Sequence, residues 1–98
     1  MQKLEGKILK VFESTEGNGF KKRMFYLDDC AEKFRNTYVF ELWKNDCEMI
    51  DNYKVGDFII VYFDIKGISW TDSKGDVLAK NTLKCWNIEH NGKTHKPI

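Results

Sequence analysis

The segment Tyr38-Val39-Phe40-Glu41-Leu42-Trp43 alternates two sets of side chains, and a nearly continuous apolar run, Phe58 to Ile65, follows the Val55-Gly56-Asp57 turn. Period-two alternation marks a strand with one face in a core. The interval between the two, Asn45 to Lys54, is too short for the crossover of a βαβ unit but accommodates a helical turn. Such a pair of strands with such a connection belongs to a small barrel.

The rest of the chain supplies further strands. Leu4 to Phe12 reads as the first, with Leu4, Ile8 and Phe12 toward the core and Gly6 marking a bend or bulge. Ser14 to Gly19 is a loop by composition. Phe20 to Asp28 is the second strand, with Phe25 and Leu27 on one face and Phe20, Lys22, Met24 and Tyr26 on the other. Asp29 to Asn36 is a polar connection, and the acidic group Asp28, Asp29 and Glu32 reads as a solvated turn. Thr37 to Lys44 is the third strand, and Asn45 or Asp46 is positioned to cap a helical turn carrying Met49 and Ile50. Phe58 to Ile65 reads as the most buried strand and Gly67 to Asp76 as a loop. Val77 to Ile88 closes the sheet, with Leu83 and Cys85 on one face and Lys84, Trp86 and Ile88 on the other. The predicted fold is all-β: a five-stranded, OB-like Greek-key barrel over residues 1–90, with one short helix between strands 3 and 4. The stretch from His90 on is expected to be a loose polar tail, with residues 91–98 outside the barrel.

Ninety-eight residues with 42% hydrophobic and 14% aromatic content make one folded domain. No apolar run approaches the roughly 20 residues that span a bilayer, and the N-terminus has no signal-peptide pattern. Cys30, Cys47 and Cys85 are odd in number and widely spaced, which fits reduced thiols and predicts a cytoplasmic protein. His90 and His95 have no element to orient them as ligands, and the chain lacks a glycine-rich phosphate loop. No cofactor, metal, small-molecule substrate or enzymatic activity is therefore expected. The net charge of +1 divides into +3 over residues 1–25, −4 over 26–57 and +2 over 58–98, so phosphate binding requires basic groups gathered on one face.

The face of Phe20, Lys22, Met24 and Tyr26 carries three large apolar or aromatic groups where a solvated strand would be polar. Aromatic side chains stack on unpaired bases, and a neighbouring Lys neutralises phosphate. Val39 and Trp43 extend that platform, and Lys21 and Arg23 stand near its loop end for phosphate contact. The alternative is that this face packs against another element or a second subunit. Trp70, with Lys74 in the same Gly- and Ser-bearing segment, is either a mobile residue closing over a bound strand or a plug in the barrel end. Trp43 and Trp86 also suit half-buried packing positions.

In combination, Phe40-Glu41-Leu42-Trp43, Val55-Gly56-Asp57, Phe63-Asp64-Ile65-Lys66-Gly67 with Trp70, and Asn81-Thr82-Leu83-Lys84-Cys85-Trp86-Asn87-Ile88 resemble a family of short bacterial and phage proteins. That family is catalogued as a domain of unknown function and is similar to OB-fold single-stranded-DNA-binding proteins. The resemblance runs from Leu4 to Glu89. It implies a homo-oligomeric, cytoplasmic protein of a bacterium or phage-infected host that binds single-stranded DNA with little sequence preference in replication, recombination or repair. An RNA-binding module and a protein-interaction barrel are the rival readings. The chain departs from the family in having Gly67-Ile68-Ser69-Trp70 where members carry Gly-Arg-Glu-Trp, which removes a basic contact that Lys66 or Lys74 would have to replace. It also ends in Lys93-Thr94-His95-Lys96-Pro97-Ile98 rather than in the acidic tail of cellular single-stranded-DNA-binding proteins.

Overall fold

The computed structural model describes residues 2–91. Its strands are β1 (Gln2–Val11), β2 (Thr15–Gly17), β3 (Phe20–Asp28), β4 (Thr37–Trp43), β5 (Phe58–Thr71) and β6 (Val77–His90), with a 3₁₀ helix over Lys44–Asn52. They form one sheet in the order β1-β5-β6-β4-β3-β2, and β1 also pairs with β3, so the sheet closes on itself. All pairings are antiparallel except β4 with β6. The five-stranded barrel expected from the sequence is thus present, with β2 added as a three-residue strand inside the segment read as a loop.

Closure of so small a barrel demands sharp strand bends, and two β-bulges supply them. On β1 the register skips Leu9, so that Ile8 opposes Leu27 and Lys10 opposes Tyr26. On β6 it skips Trp86, between Cys85 opposite Phe63 and Asn87 opposite Tyr62. Each bulge reverses the side-chain alternation beyond it. Phe12 consequently packs its ring 4.9 Å from Tyr26 on the outer face instead of entering the core, and Ile88 turns inward and is buried. Gly6 is not the bulge: a Cβ there would lie 2.3 Å from the Asp28 carbonyl oxygen, so glycine is required where β1 presses against β3.

The core comprises Ile8, Phe25, Leu27, Phe40, Leu42, Ile59, Val61, Phe63, Cys85 and Ile88 from the strands, closed at one end by Cys47 and Ile50 of the 3₁₀ helix. Phe58 to Ile65 is apolar but for Asp64, yet only Ile59, Val61 and Phe63 are buried; Ile60 and Tyr62 lie half-buried on the other side. No side chain caps the start of the 3₁₀ helix.

The connection after β3 is tied down at Asp28 and Asp29, while residues 32–36, Glu32 among them, are exposed. Asp28 is buried and accepts hydrogen bonds from Arg35 Nε at 2.9 and 3.1 Å and from the Cys30 amide at 2.8 Å. Those bonds, the Arg35 guanidinium first, hold its carboxyl below the usual carboxylate range. Asp29 Oδ1 accepts from the amides of Ala31 and Asn36.

The largest departure from expectation lies between β5 and β6. Residues 67–71, read from composition as part of a loop, continue β5 as far as Thr71 and pair with Val77 to Asn81. Only Asp72 to Asp76 turns, with Asp72 Oδ1 accepting from the amides of Lys74 and Asp76 and Gly75 at φ 87°. The result is a long hairpin projecting beyond the barrel, which gives the molecule extents of 53 × 31 × 23 Å. His90 ends β6, and the Asn91 amide donates to the Phe58 carbonyl, so neither lies in a tail. Residues 92–98, and with them His95, fall outside the described residues.

Candidate nucleic-acid interface

Alternation from the buried residues fixes which side chains share the outer face of the sheet. On β3 these are Phe20, Lys22, Met24 and Tyr26, and on β4 they are Val39, Glu41 and Trp43, with Lys22 opposite Trp43, Met24 opposite Glu41 and Tyr26 opposite Val39. Lys84 of β6 stands beside Glu41. Along the hairpin the same face continues through Lys66 opposite Thr82, Ile68 opposite Lys80 and Trp70 opposite Leu78. A recess of about 180 Å³ lies where the barrel meets the hairpin, between Phe20, Lys22, Glu41 and Trp43 on one side and Lys66, Ile68, Lys80 and Thr82 on the other. A second hollow adjoins it, reaching Lys44, Asp46 and Lys84.

The rings of Phe20 and Trp43 meet edge to face, with centroids 5.4 Å apart and planes at 74°. Lys84 Nζ lies 5.2 Å from the Trp43 ring and Lys44 Nζ lies 5.8 Å from Phe20. A second aromatic pair, Phe12 with Tyr26, stands about 20 Å farther along β3 at ~3.3 Å per residue, and Lys10 Nζ lies 4.7 Å from Phe12. Glu41 is only 8% exposed. Its Oε1 accepts a hydrogen bond from Trp43 Nε1 at 2.9 Å, which fixes the indole, and its Oε2 lies 3.9 Å from Lys80 Nζ. The two hollows are lined by Lys22, Lys44, Lys66, Lys80 and Lys84 against Glu41 and Asp46, a local excess of three positive charges on a chain of net +1.

Of the residues singled out in the sequence, Phe20, Lys22, Met24, Tyr26 and Trp43 share this face. Trp70 joins them, standing on a paired strand rather than in a loop or a barrel end, and is 45% exposed. Lys74 occupies the hairpin turn beyond it. Lys21 and Arg23 are directed to the other side of β3. Lys21 Nζ lies 3.7 Å from Glu48, while Arg23 donates to the Phe12 carbonyl at 2.7 Å, the Cys47 carbonyl at 3.1 Å and Asp51 Oδ1 at 2.9 Å. Arg23 therefore anchors the 3₁₀ helix to the barrel. Sequence reasoning missed Lys80, Thr82 and Lys84 on this face, although their period-two spacing was readable once the strand was recognised, and it missed Glu41, which no local pattern distinguishes from a solvated residue.

Burial pushes the Cys47 thiol up and that of Cys85 up to about 12, so both are poor nucleophiles and poor metal ligands. Among the described residues no group of three His, Cys, Asp or Glu side chains is placed to hold a metal ion, and no helix is long and apolar enough to cross a membrane.

Residues 3–89 match the model of a family described as a domain of unknown function, DUF3127. No curated protein matches the sequence. Among solved structures, that of Rim1, a mitochondrial single-stranded DNA binding protein from S. cerevisiae, is similar with a TM-score of 0.70 and 13% identity over 91% of each chain. A selenomethionine-labelled structure of the same protein gives 0.58 at 18% identity, covering 93% of this chain and 95% of that one. SSBb, the second single-stranded DNA binding protein of Mycobacterium smegmatis, gives 0.53 at 13%, covering 97% and 96%. At such identities the likeness speaks for the fold, a closed OB-type barrel.

Proposed function

The chain belongs to the DUF3127 family, and we propose that it binds single-stranded DNA along the outer face of β3, β4 and the β5–β6 hairpin. The observation that carries this reading is the Phe20–Trp43 ring pair set among five lysines on one concave surface. Unpaired bases stack on the exposed parts of these rings, each stack contributing about 1–3 kcal/mol, while the lysines neutralise phosphates and release counterions. A duplex hides its base faces and forgoes the stacking. The fold's likeness to single-stranded DNA binding proteins supports the same reading.

A protein working in this way is a stoichiometric binder rather than an enzyme. It acts where single strands arise, in replication, recombination or repair, and copies assembled together raise affinity by tethering several short sites. The test is an anisotropy titration with a mixed-sequence oligonucleotide as single-stranded DNA, as RNA and as duplex, each at two salt concentrations. Single strands should bind more tightly than duplex, with log affinity falling by about 0.7 per phosphate contact for each log unit of salt. Equal affinity for duplex, or affinity insensitive to salt, would overturn the proposal and favour a protein-interaction role. Tighter binding of the RNA would move it to that polymer.

A further inference from the structure

Among the described residues Glu41 is the one acidic side chain lining the recess between barrel and hairpin, and it stands between the Trp43 ring and Lys80. A carboxylate is a poor choice for a surface that only attracts phosphate, because it cancels one of the surrounding lysines. Its oxygens are also unequally used. Oε1 is engaged by the Trp43 indole N–H at 2.9 Å, whereas among the described residues Oε2 has only the Lys80 ammonium at 3.9 Å, beyond hydrogen-bond distance. The recess, about 180 Å³, has the volume of roughly six waters at ~30 Å³ each, room for a flat ring lying against the indole.

Resting on the single-strand reading above, we infer that Glu41 selects the base lodged beside Trp43, favouring cytosine and adenine over thymine and uracil. A carboxylate accepts hydrogen bonds and donates none. Cytosine and adenine present an exocyclic amino group on the edge where thymine and uracil present a carbonyl oxygen. The amino group donates to Oε2, and the carbonyl meets it as a second acceptor. Among the described residues lining that recess Glu41 alone carries a carboxylate, so the preference belongs to the one step lodged there.

The experiment compares oligo-dC, oligo-dT and an oligomer of N4,N4-dimethylcytosine, each of about 12 nucleotides and so within the roughly 4–16 that one OB barrel covers, at a pH where oligo-dC remains unstructured. The parent protein should bind oligo-dC on the order of tenfold more tightly than oligo-dT, the low end of what a good base contact discriminates. Dimethylation, which removes both amino hydrogens, should abolish that advantage. Glu41→Gln keeps a carbonyl for the Trp43 N–H and places an amide N–H₂ where Oε2 stood, so its dC-to-dT ratio should fall to unity or invert. Equal binding of oligo-dC and oligo-dT by the parent overturns the inference while leaving the single-strand reading intact, whether or not the variant folds. Retention of the dC advantage after dimethylation overturns it likewise. Failure of every oligomer to bind removes both.

Discussion

Replacing Trp70 by Ala separates the three roles a tryptophan in this segment could have: a mobile lid, a core plug, or a fixed stacking surface. Trp70 stands opposite Leu78 on a ladder that continues to Thr71 and Val77, and 45% of its surface is open. A Trp side chain of roughly 250 Å² then leaves about 110 Å² to be covered, worth at most ~3 kcal/mol at ~25 cal/mol/Å². Single base–aromatic stacks measure about 1–3 kcal/mol, so affinity should fall between about 5- and 150-fold. The stability cost is that of one cross-strand pair, about 0.2–1 kcal/mol, which lowers Tm by less than ~8 °C in a domain of this size. Removing a core Trp would instead cost about 3–5 kcal/mol. Oligonucleotide anisotropy and circular-dichroism melting measure the two quantities on the same sample. Val77→Ala, which alters the opposite face of the hairpin where Val77 is 75% exposed, serves as control and should change neither. An intact variant with unaltered affinity would remove the hairpin from the binding path, and a collapse of Tm would return Trp70 to the core.

Neutralising Lys66, Lys80 and Lys84 together should flatten the slope of log affinity against log salt by about 2, at ~0.7 per lost phosphate contact on a single strand. Arg23→Gln should leave that slope unchanged and lower stability in urea by about 1–3 kcal/mol, because carbonyls of Phe12 and Cys47 lose their donor. Gly6→Ala should destabilise by about 3 kcal/mol or more, at or above the upper range for overpacking, since its Cβ meets backbone that cannot swing away; a denaturation midpoint equal to the parent's would refute the close approach of β1 to β3. Asp28 has a folded pKa below its unfolded value of about 3.9, so its bond to Arg35 stabilises fully above that value and is lost as pH falls through the lower folded one. The stability difference between parent and Arg35→Gln should therefore narrow on acidification, as followed by urea melts across the acid range. Amide exchange in the ligand-free protein should show the β5–β6 ladder protected and the Asp72–Asp76 turn open, the reverse of a lid that orders only on binding.

Local pattern determined a good deal of this protein. The bounds of β3, the inward set Phe25, Leu27, Phe40 and Leu42, and the outward set Phe20, Lys22, Met24, Tyr26 and Trp43 all follow from period-two alternation in unbulged strands, where each side chain's face depends only on its neighbours along the chain. Tertiary structure decided whatever depends on a partner strand. The bulges at Leu9 and Trp86 relieve the curvature of a closed barrel, a property of the whole sheet, and they reversed the faces of Phe12 and Ile88. Gly67, Ser69, Thr71, Ser73 and Gly75 have the composition of a loop, yet pairing with β6 carries β5 through to Thr71, because ladder hydrogen bonds across the hairpin outweigh weak intrinsic propensity. Arg23 could not be told from a phosphate contact until the 3₁₀ helix brought Asp51 and the Cys47 carbonyl beneath it. Glu41 became distinctive only when folding buried it, set one of its oxygens on an indole and left the other beside a lysine. The sequence thus determines which side chains each strand offers to either face, while closure of the sheet determines which of them meet, since those contacts join residues far apart along the chain.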